Sequence, residues 1–173
     1  MTIQTRTPRN TIFQGDCIDT MRRFERGSVD FILTDPPYIT HYRGRDGRTV
    51  ANDDNSRWLK PAFNQMHRIL KPGGFCVSFY GWNKVDLFMD AWRSAGFRIV
   101  GHLVFRKQYA SSSRFLRYEH EQAYLLAKGE VAPPSQPISS MCPAVICPSG
   151  SGLPAPALAK TMSRVPRSAF TAA

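Results

Sequence analysis

One strand, and the four residues that stop it, limit this chain more than anything else in it. Val29-Asp30-Phe31-Ile32-Leu33-Thr34 has the apolar run of a buried strand, and it meets Asp35-Pro36-Pro37-Tyr38. Neither proline has an amide hydrogen to donate, and each ring holds φ near about −65°, so the strand ends there and the turn is stiff. A carboxylate, free carbonyl oxygens and a phenol ring are thereby fixed at a strand's carboxyl end. That is the edge at which open α/β sheets take up ligands. The plainer reading is an ordinary Pro-Pro turn with a surface aromatic; the place of the turn after a buried strand favours a site.

The surrounding pattern alternates. Asn10 to Gln14 reads as a short β-type run ending at Gly15-Asp16-Cys17, and Ile18 to Phe24 as a helix capped by Gly27. A polar connection follows from Thr40 to Ser56. Trp58, Phe63, Met66, Ile69 and Leu70 then share one helical face, and Lys71-Pro72-Gly73-Gly74 stops that helix. Phe75 to Tyr80 is near-continuously apolar, as parallel strands are. Val85, Phe88, Met89 and Trp92 mark a further helix, ended by Gly96. Phe97 to Phe105 and Gln122 to Ala127 read as strands on either side of a basic, Ser-rich loop from Gln108 to Arg117. Strands and helices alternating in this way predict a parallel, doubly wound α/β sheet with an antiparallel pair at one edge.

The turn suits methylation of an exocyclic amine. An amino group conjugated to a purine ring is a poor nucleophile, because its lone pair is delocalised. Two acceptors aimed at its hydrogens, Asp35 Oδ and the Pro36 carbonyl, favour a tetrahedral nitrogen that can attack a sulfonium methyl in line. Tyr38 would stack on the base, which must first leave the duplex.

Composition points to a polyanionic partner. The formal net charge is +10, which speaks to partners and not to fold. Arg43, Arg45 and Arg48, then Arg106, Lys107, Arg114 and Arg117, lie in Gly- and Ser-rich stretches beside aromatics, as phosphate-contacting loops do. A solvated basic surface is the competing account. The four cysteines, Cys17, Cys76, Cys142 and Cys147, have neither the pattern of a disulfide framework nor metal-ligand spacing, so a reduced, cytoplasmic setting and no metal are expected. No apolar run is long enough to span a bilayer. From Val131 to Ala173 the chain has eight prolines, no acid and no sustained period, and reads as a disordered tail.

Gly15-Asp16-Cys17, Asp35-Pro36-Pro37-Tyr38, Leu70-Lys71-Pro72-Gly73-Gly74 and Val77-Ser78-Phe79-Tyr80-Gly81-Trp82, with Gly101 to Phe105 and Tyr118 to Gly129, closely resemble the amino-terminal part of DNA N6-adenine methyltransferases. The resemblance is to the permuted class, in which the catalytic half comes first, and to the plasmid- and prophage-encoded methylases within it. It implies a Rossmann-like sheet that uses S-adenosylmethionine, double-stranded DNA as substrate, and the setting of restriction-modification enzymes. It makes Asp35, Pro36, Pro37 and Tyr38 the catalytic motif. Asp16, with Cys17 beside it, matches the acid that approaches the adenine end of the cofactor, though a strand-end turn residue is an equal account. The Asp heading the motif favours adenine; relatives acting on N4 of cytosine more often carry Ser there, and those acting on RNA or protein amides more often Asn.

The sequence departs from that class after about Ser139. No strand leads into a Phe-x-Gly-x-Gly loop, and Pro148-Ser149-Gly150-Ser151-Gly152 follows no strand pattern and opens no helix. The expectation is therefore a catalytic half over residues 1–130 joined to an out-of-frame tail over 131–173, weakly active or inactive. A catalytically dead basic fragment that binds DNA is the alternative.

Overall fold

The structure is a computed structural model that describes residues 10–44, 46–112, 115–136, 139 and 141–142. Its elements run α1 (Cys17–Arg22), β1 (Val29–Thr34), α2 (Leu59–Ile69), β2 (Leu70–Phe79), α3 (Val85–Ala95), β3 (Phe97–Ser112), β4 (Arg117–Lys128) and β5 (Met141–Cys142). They build one five-stranded sheet in the order β1-β2-β4-β3-β5.

The α/β expectation holds, but the sheet is mixed. β1 runs parallel to β2, while β4 is antiparallel to both β2 and β3 and lies between them. No helix separates β3 from β4, so the chain must reverse, and the returning strand is apolar on both faces. Leu126 and Ala127 are fully buried, and Leu125 packs on the opposite side from Leu126. A strand of that kind belongs inside a sheet; the expected antiparallel pair is β3 with β4, with β4 on its inner side and the two-residue β5 beyond β3.

The two faces of the sheet differ. Met21, Phe24, Leu59, Phe63, Met66, Ile69, Phe88 and Trp92 from the helical side join Ile32, Leu70, Cys76, Phe97 and Leu126 in one buried cluster. On the other face Val77, Leu103 and Ala123 pack with Phe31, Leu33, Phe79, Phe105 and Leu125. Among the described residues no helix contributes to the cluster on that second face.

Cations hold the helix ends. Lys128 Nζ donates to the carbonyls of His67 and Leu70, each at 2.6 Å, closing the exposed end of α2. The Arg68 guanidinium donates to Phe24 O at 2.8 Å and Met21 O at 2.6 Å, tying the turn after α1 to α2. Gly96, at φ +93°, ends α3 in the left-handed conformation that glycine tolerates.

Four local expectations are corrected. Residues 10–14 form no strand, because their backbone meets no ladder partner among the described residues. α1 is shorter than expected; Gly27 does not cap it but donates its N–H to Arg68 O at 3.1 Å. The Gln108–Arg117 segment is largely strand: β3 runs on to Ser112 and β4 begins at Arg117, paired across the hairpin. Within the expected tail, Met141 and Cys142 pair in parallel with Val104 and Phe105. The rest of the tail, with Pro148 to Gly152, lies outside the described residues.

Candidate active site

β1 ends at Thr34, and Asp35 is the next residue. Tyr38 Oη donates to Asp35 Oδ1 at 2.8 Å. The turn crosses directly over the end of β2: a Cβ at Gly81 would lie 2.5 Å from Tyr38 O and 3.0 Å from Tyr38 Cβ. Any side chain there would push Tyr38 off the sheet edge. Glu121 comes next along the same edge. Ala123 pairs with Phe79 near the end of β2, so Glu121, two residues earlier in β4, projects past that end opposite Phe105.

Charge gathers around Asp35. Burial among neighbouring atoms pushes its carboxyl above the usual carboxylate value; the Tyr38 hydrogen bond pulls down, and the Glu121 charge pushes up. The Tyr38 phenol is likewise raised, by burial, by the Asp35 charge and hydrogen bond, and by Glu121, so it stays a donor at neutral pH. Glu121 is held by Lys107 Nζ at 2.9 Å, and the Lys107 side chain is only 9% exposed. Tyr38 occupies Oδ1 of Asp35, and among the described residues no other side-chain hydrogen bond to this carboxylate is seen.

A second carboxylate shapes the loop that follows. Asp53, 3% exposed, accepts hydrogen bonds from Thr40 N at 3.1 Å, Thr40 Oγ1 at 3.1 Å and Tyr42 N at 2.7 Å. Its own carbonyl accepts from His41 N at 3.2 Å. The loop needs this hold, because buried Ile39 sits at φ +59° and His41 at +55°. A β-branched residue in that region is strained and persists only where neighbours over-determine it.

The family profile described as DNA methylase matches residues 29–152, well over half of the 173 residues. The chain belongs to the N6/N4 DNA methylase family. The match runs beyond Ser139, where the family pattern was expected to stop. YubD of Escherichia coli (strain K12), named as a methylase, is 55% identical over 125 residues, covering 72% of this chain and 55% of YubD. The type II methyltransferase M.BglII of Bacillus subtilis is 32% identical over 65 residues, covering 38% of this chain and 18% of M.BglII. The chain thus spans about half the length of the first relative and a smaller part of the second. Among solved structures, M1.HpyAVI crystallised as a SAM complex superposes with a TM-score of 0.57 at 18% identity, covering 80% of this chain and 65% of that one. The cytosine-N4-specific PvuII DNA methyltransferase gives 0.61 at 13%, covering 84% and 61%. At such identities these likenesses establish the methyltransferase fold.

Within this chain the other candidate residues fare unequally. Asp16 caps α1, with Oδ1 accepting from Ile18 N at 2.8 Å and Asp19 N at 3.1 Å. Cys17 is half-buried, and burial followed by the Asp16 charge pushes its thiol up, so it is not a reactive thiolate. Lys107, expected to contact phosphate, is committed to Glu121. Arg43 is exposed beside the Arg43–Thr49 bridge, Arg48 pairs with Asp46 at 3.1 Å, and Arg117 lies 3.4 Å from Glu119. Arg45 and Arg114 lie outside the described residues. Among the described residues no three His, Cys, Asp or Glu side chains gather as a metal site requires, and no helix is long and apolar enough to cross a membrane. Asp53 and Glu121 escaped the sequence reading because Asp46, Asp53 and Asp54 look alike in a polar loop, and a strand acid signals only a solvated face.

Proposed function

We propose that the Asp35–Tyr38 turn is the amine-binding part of a DNA methyltransferase acting on N6 of adenine in duplex DNA, with S-adenosylmethionine as donor. The observation that carries this is the turn's place and its internal bond: Asp35 follows the last residue of β1, and Tyr38 donates to its Oδ1, so that Oδ2, with the Pro36 carbonyl beside it in the chain, is proposed as the second acceptor. Two such acceptors take the two hydrogens of an amino group and localise its lone pair. Because its carboxyl is lifted above the ordinary value, Asp35 is suited to receive the proton the amine sheds on methylation. The half-buried Tyr38 ring forms a wall for the flipped base.

The residues present fit a cationic donor: Asp35 supplies a carboxylate at the sheet edge, with Glu121, paired with Lys107, beside it. When bound, that donor supplies an electrophilic methyl group. Asp16 and Cys17 are the residues proposed to face its adenine end, and Arg43, Arg45, Arg48, Arg114 and Arg117 to face DNA phosphates.

The fold match to a cytosine-N4-specific enzyme supports a second reading, methylation of N4 of cytosine, whose amine offers the same two hydrogens. The test is transfer of labelled methyl from S-adenosylmethionine to duplex DNA, with product nucleosides identified. N6-methyladenine is the expected product. N4-methylcytosine would establish the second reading, and DNA binding without uptake of S-adenosylmethionine would make the chain a binding fragment.

A further inference from the structure

Trp82 follows Gly81 and opens the short 3-10 turn Trp82–Lys84 that leads into α3. Its exposure distinguishes it from the other two tryptophans. Trp92 is fully buried, and Trp58 spends its indole N–H on the carbonyls of Asn52 and Asn55 while packing against the core. Trp82 is 60% exposed and stacks on Tyr118, with ring centroids 6.2 Å apart and planes at 30°. A large aromatic face is thus held rigid by a second ring and left in water. It lies beside the active turn, because Gly81 is the residue over which Tyr38 packs.

The surroundings are cationic. Tyr118 and His120 share one face of β4 by the two-residue period, and exposed Arg106 is the cross-strand partner of His120. Glu119 points to the opposite face by the same period, where it lies near Arg117. Phe115 and Leu116, three and two residues before Tyr118 in the chain, are 92% and 60% exposed. Flat aromatic surface interleaved with arginine, on a chain of net charge +10, matches the chemistry of a nucleic-acid strand with its bases turned out.

We propose that the Trp82–Tyr118 pair is a stacking platform for an unpaired nucleobase, the neighbour of the base that Asp35 takes, with Arg106 facing the strand's phosphates. This rests on the reading of the chain as a DNA methyltransferase. It adds that the enzyme holds a flanking nucleotide unstacked, so that opening the duplex exposes two bases to aromatic surface.

The test uses the full chain and two probes, a single-stranded oligonucleotide and a perfectly paired duplex of the same sequence. Binding of the single strand should quench tryptophan fluorescence, and the quench should vanish in Trp82→Phe, since the other two indoles are sheltered. Affinity for the single strand should fall about ten-fold in Trp82→Ala and Tyr118→Ala, and stay within about two-fold of wild type in Trp82→Phe. The perfect duplex should show a smaller loss. Equal losses on both probes, unchanged affinity in Trp82→Ala, or a platform that proves by sedimentation to join two copies of the chain would each overturn the proposal. If Trp82→Ala fails to fold, quenching and the Trp82→Phe affinity still decide it. Both readouts are independent of methyl transfer, so loss of the enzymatic reading leaves them measurable.

Discussion

Asp35 and Asp53 stand at opposite ends of one polar loop, and their surroundings are inverted. Asp53 is almost wholly buried and is satisfied: burial pulls its carboxyl up, but hydrogen bonds from the Tyr42 and Thr40 backbone, the Thr40 hydroxyl and Ile39 outweigh that and leave it below the ordinary carboxylate value. Asp35 is reachable from solvent, yet among the described residues it receives one side-chain hydrogen bond, is desolvated by its neighbours and faces a second acid, so its carboxyl is raised. A carboxylate whose lone pairs are filled by its own chain is a structural part. One left short of donors at a sheet edge has capacity for a ligand.

The largest effect should come from Asp35. Asp35→Ala should lower methyl transfer about 10²- to 10³-fold, by removing an acceptor for the amine, while the urea-unfolding free energy stays within about 0.5 kcal/mol of wild type. A large loss of stability would mean that Asp35 is as structural as Asp53. The converse holds for Asp53→Ala, which leaves the part-buried Thr40 and Tyr42 amides without this partner and the strained φ values at Ile39 and His41 unsupported. It should cost about 2–4 kcal/mol in urea unfolding. A change under 0.5 kcal/mol would erase the distinction between the two.

Smaller but more discriminating is pH. The Asp53 carboxyl is depressed in the fold, so its stabilisation is present above the unfolded value of about 3.9 and is lost as pH falls through the folded value. The Asp35 carboxyl is raised, so its charge costs stability above the folded value, and that cost is relieved as pH falls from there toward about 3.9. Wild type should therefore lose its advantage over Asp53→Asn on acidification, while gaining on Asp35→Asn. Unfolding curves from pH 3 to 7 for the three proteins would show it, and parallel shifts in both pairs would contradict it.

The smallest effect concerns the exposed arginines of the same loop. Arg43→Ala should reduce the slope of log affinity against log salt for duplex DNA by about 0.9, the loss of one phosphate contact. Arg48→Ala should do less, because Arg48 is already paired with Asp46. No change in slope from either would move the DNA to another part of the surface.

Much of the site was written locally. The strand Val29–Thr34, its arrest at Asp35-Pro36-Pro37-Tyr38 and the Gly96 stop of α3 depend on side-chain burial, proline geometry and a left-handed glycine, all of which act within a few residues. The period of Phe63, Met66 and Ile69 marked α2 for the same reason. Other features exist only once distant segments meet. β4 enters between β2 and β3 because its two apolar faces can both be buried there, which no local preference announces. Asp53 differs from Asp54 only by the amides of a loop more than ten residues earlier, and the pairing of Lys107 with Glu121 exists only once β3 and β4 meet. Chain-local forces choose elements and turns; the pairing of buried charges and the filling of a sheet interior are decided by long-range closure, where an unmet hydrogen bond or an exposed face carries the energy.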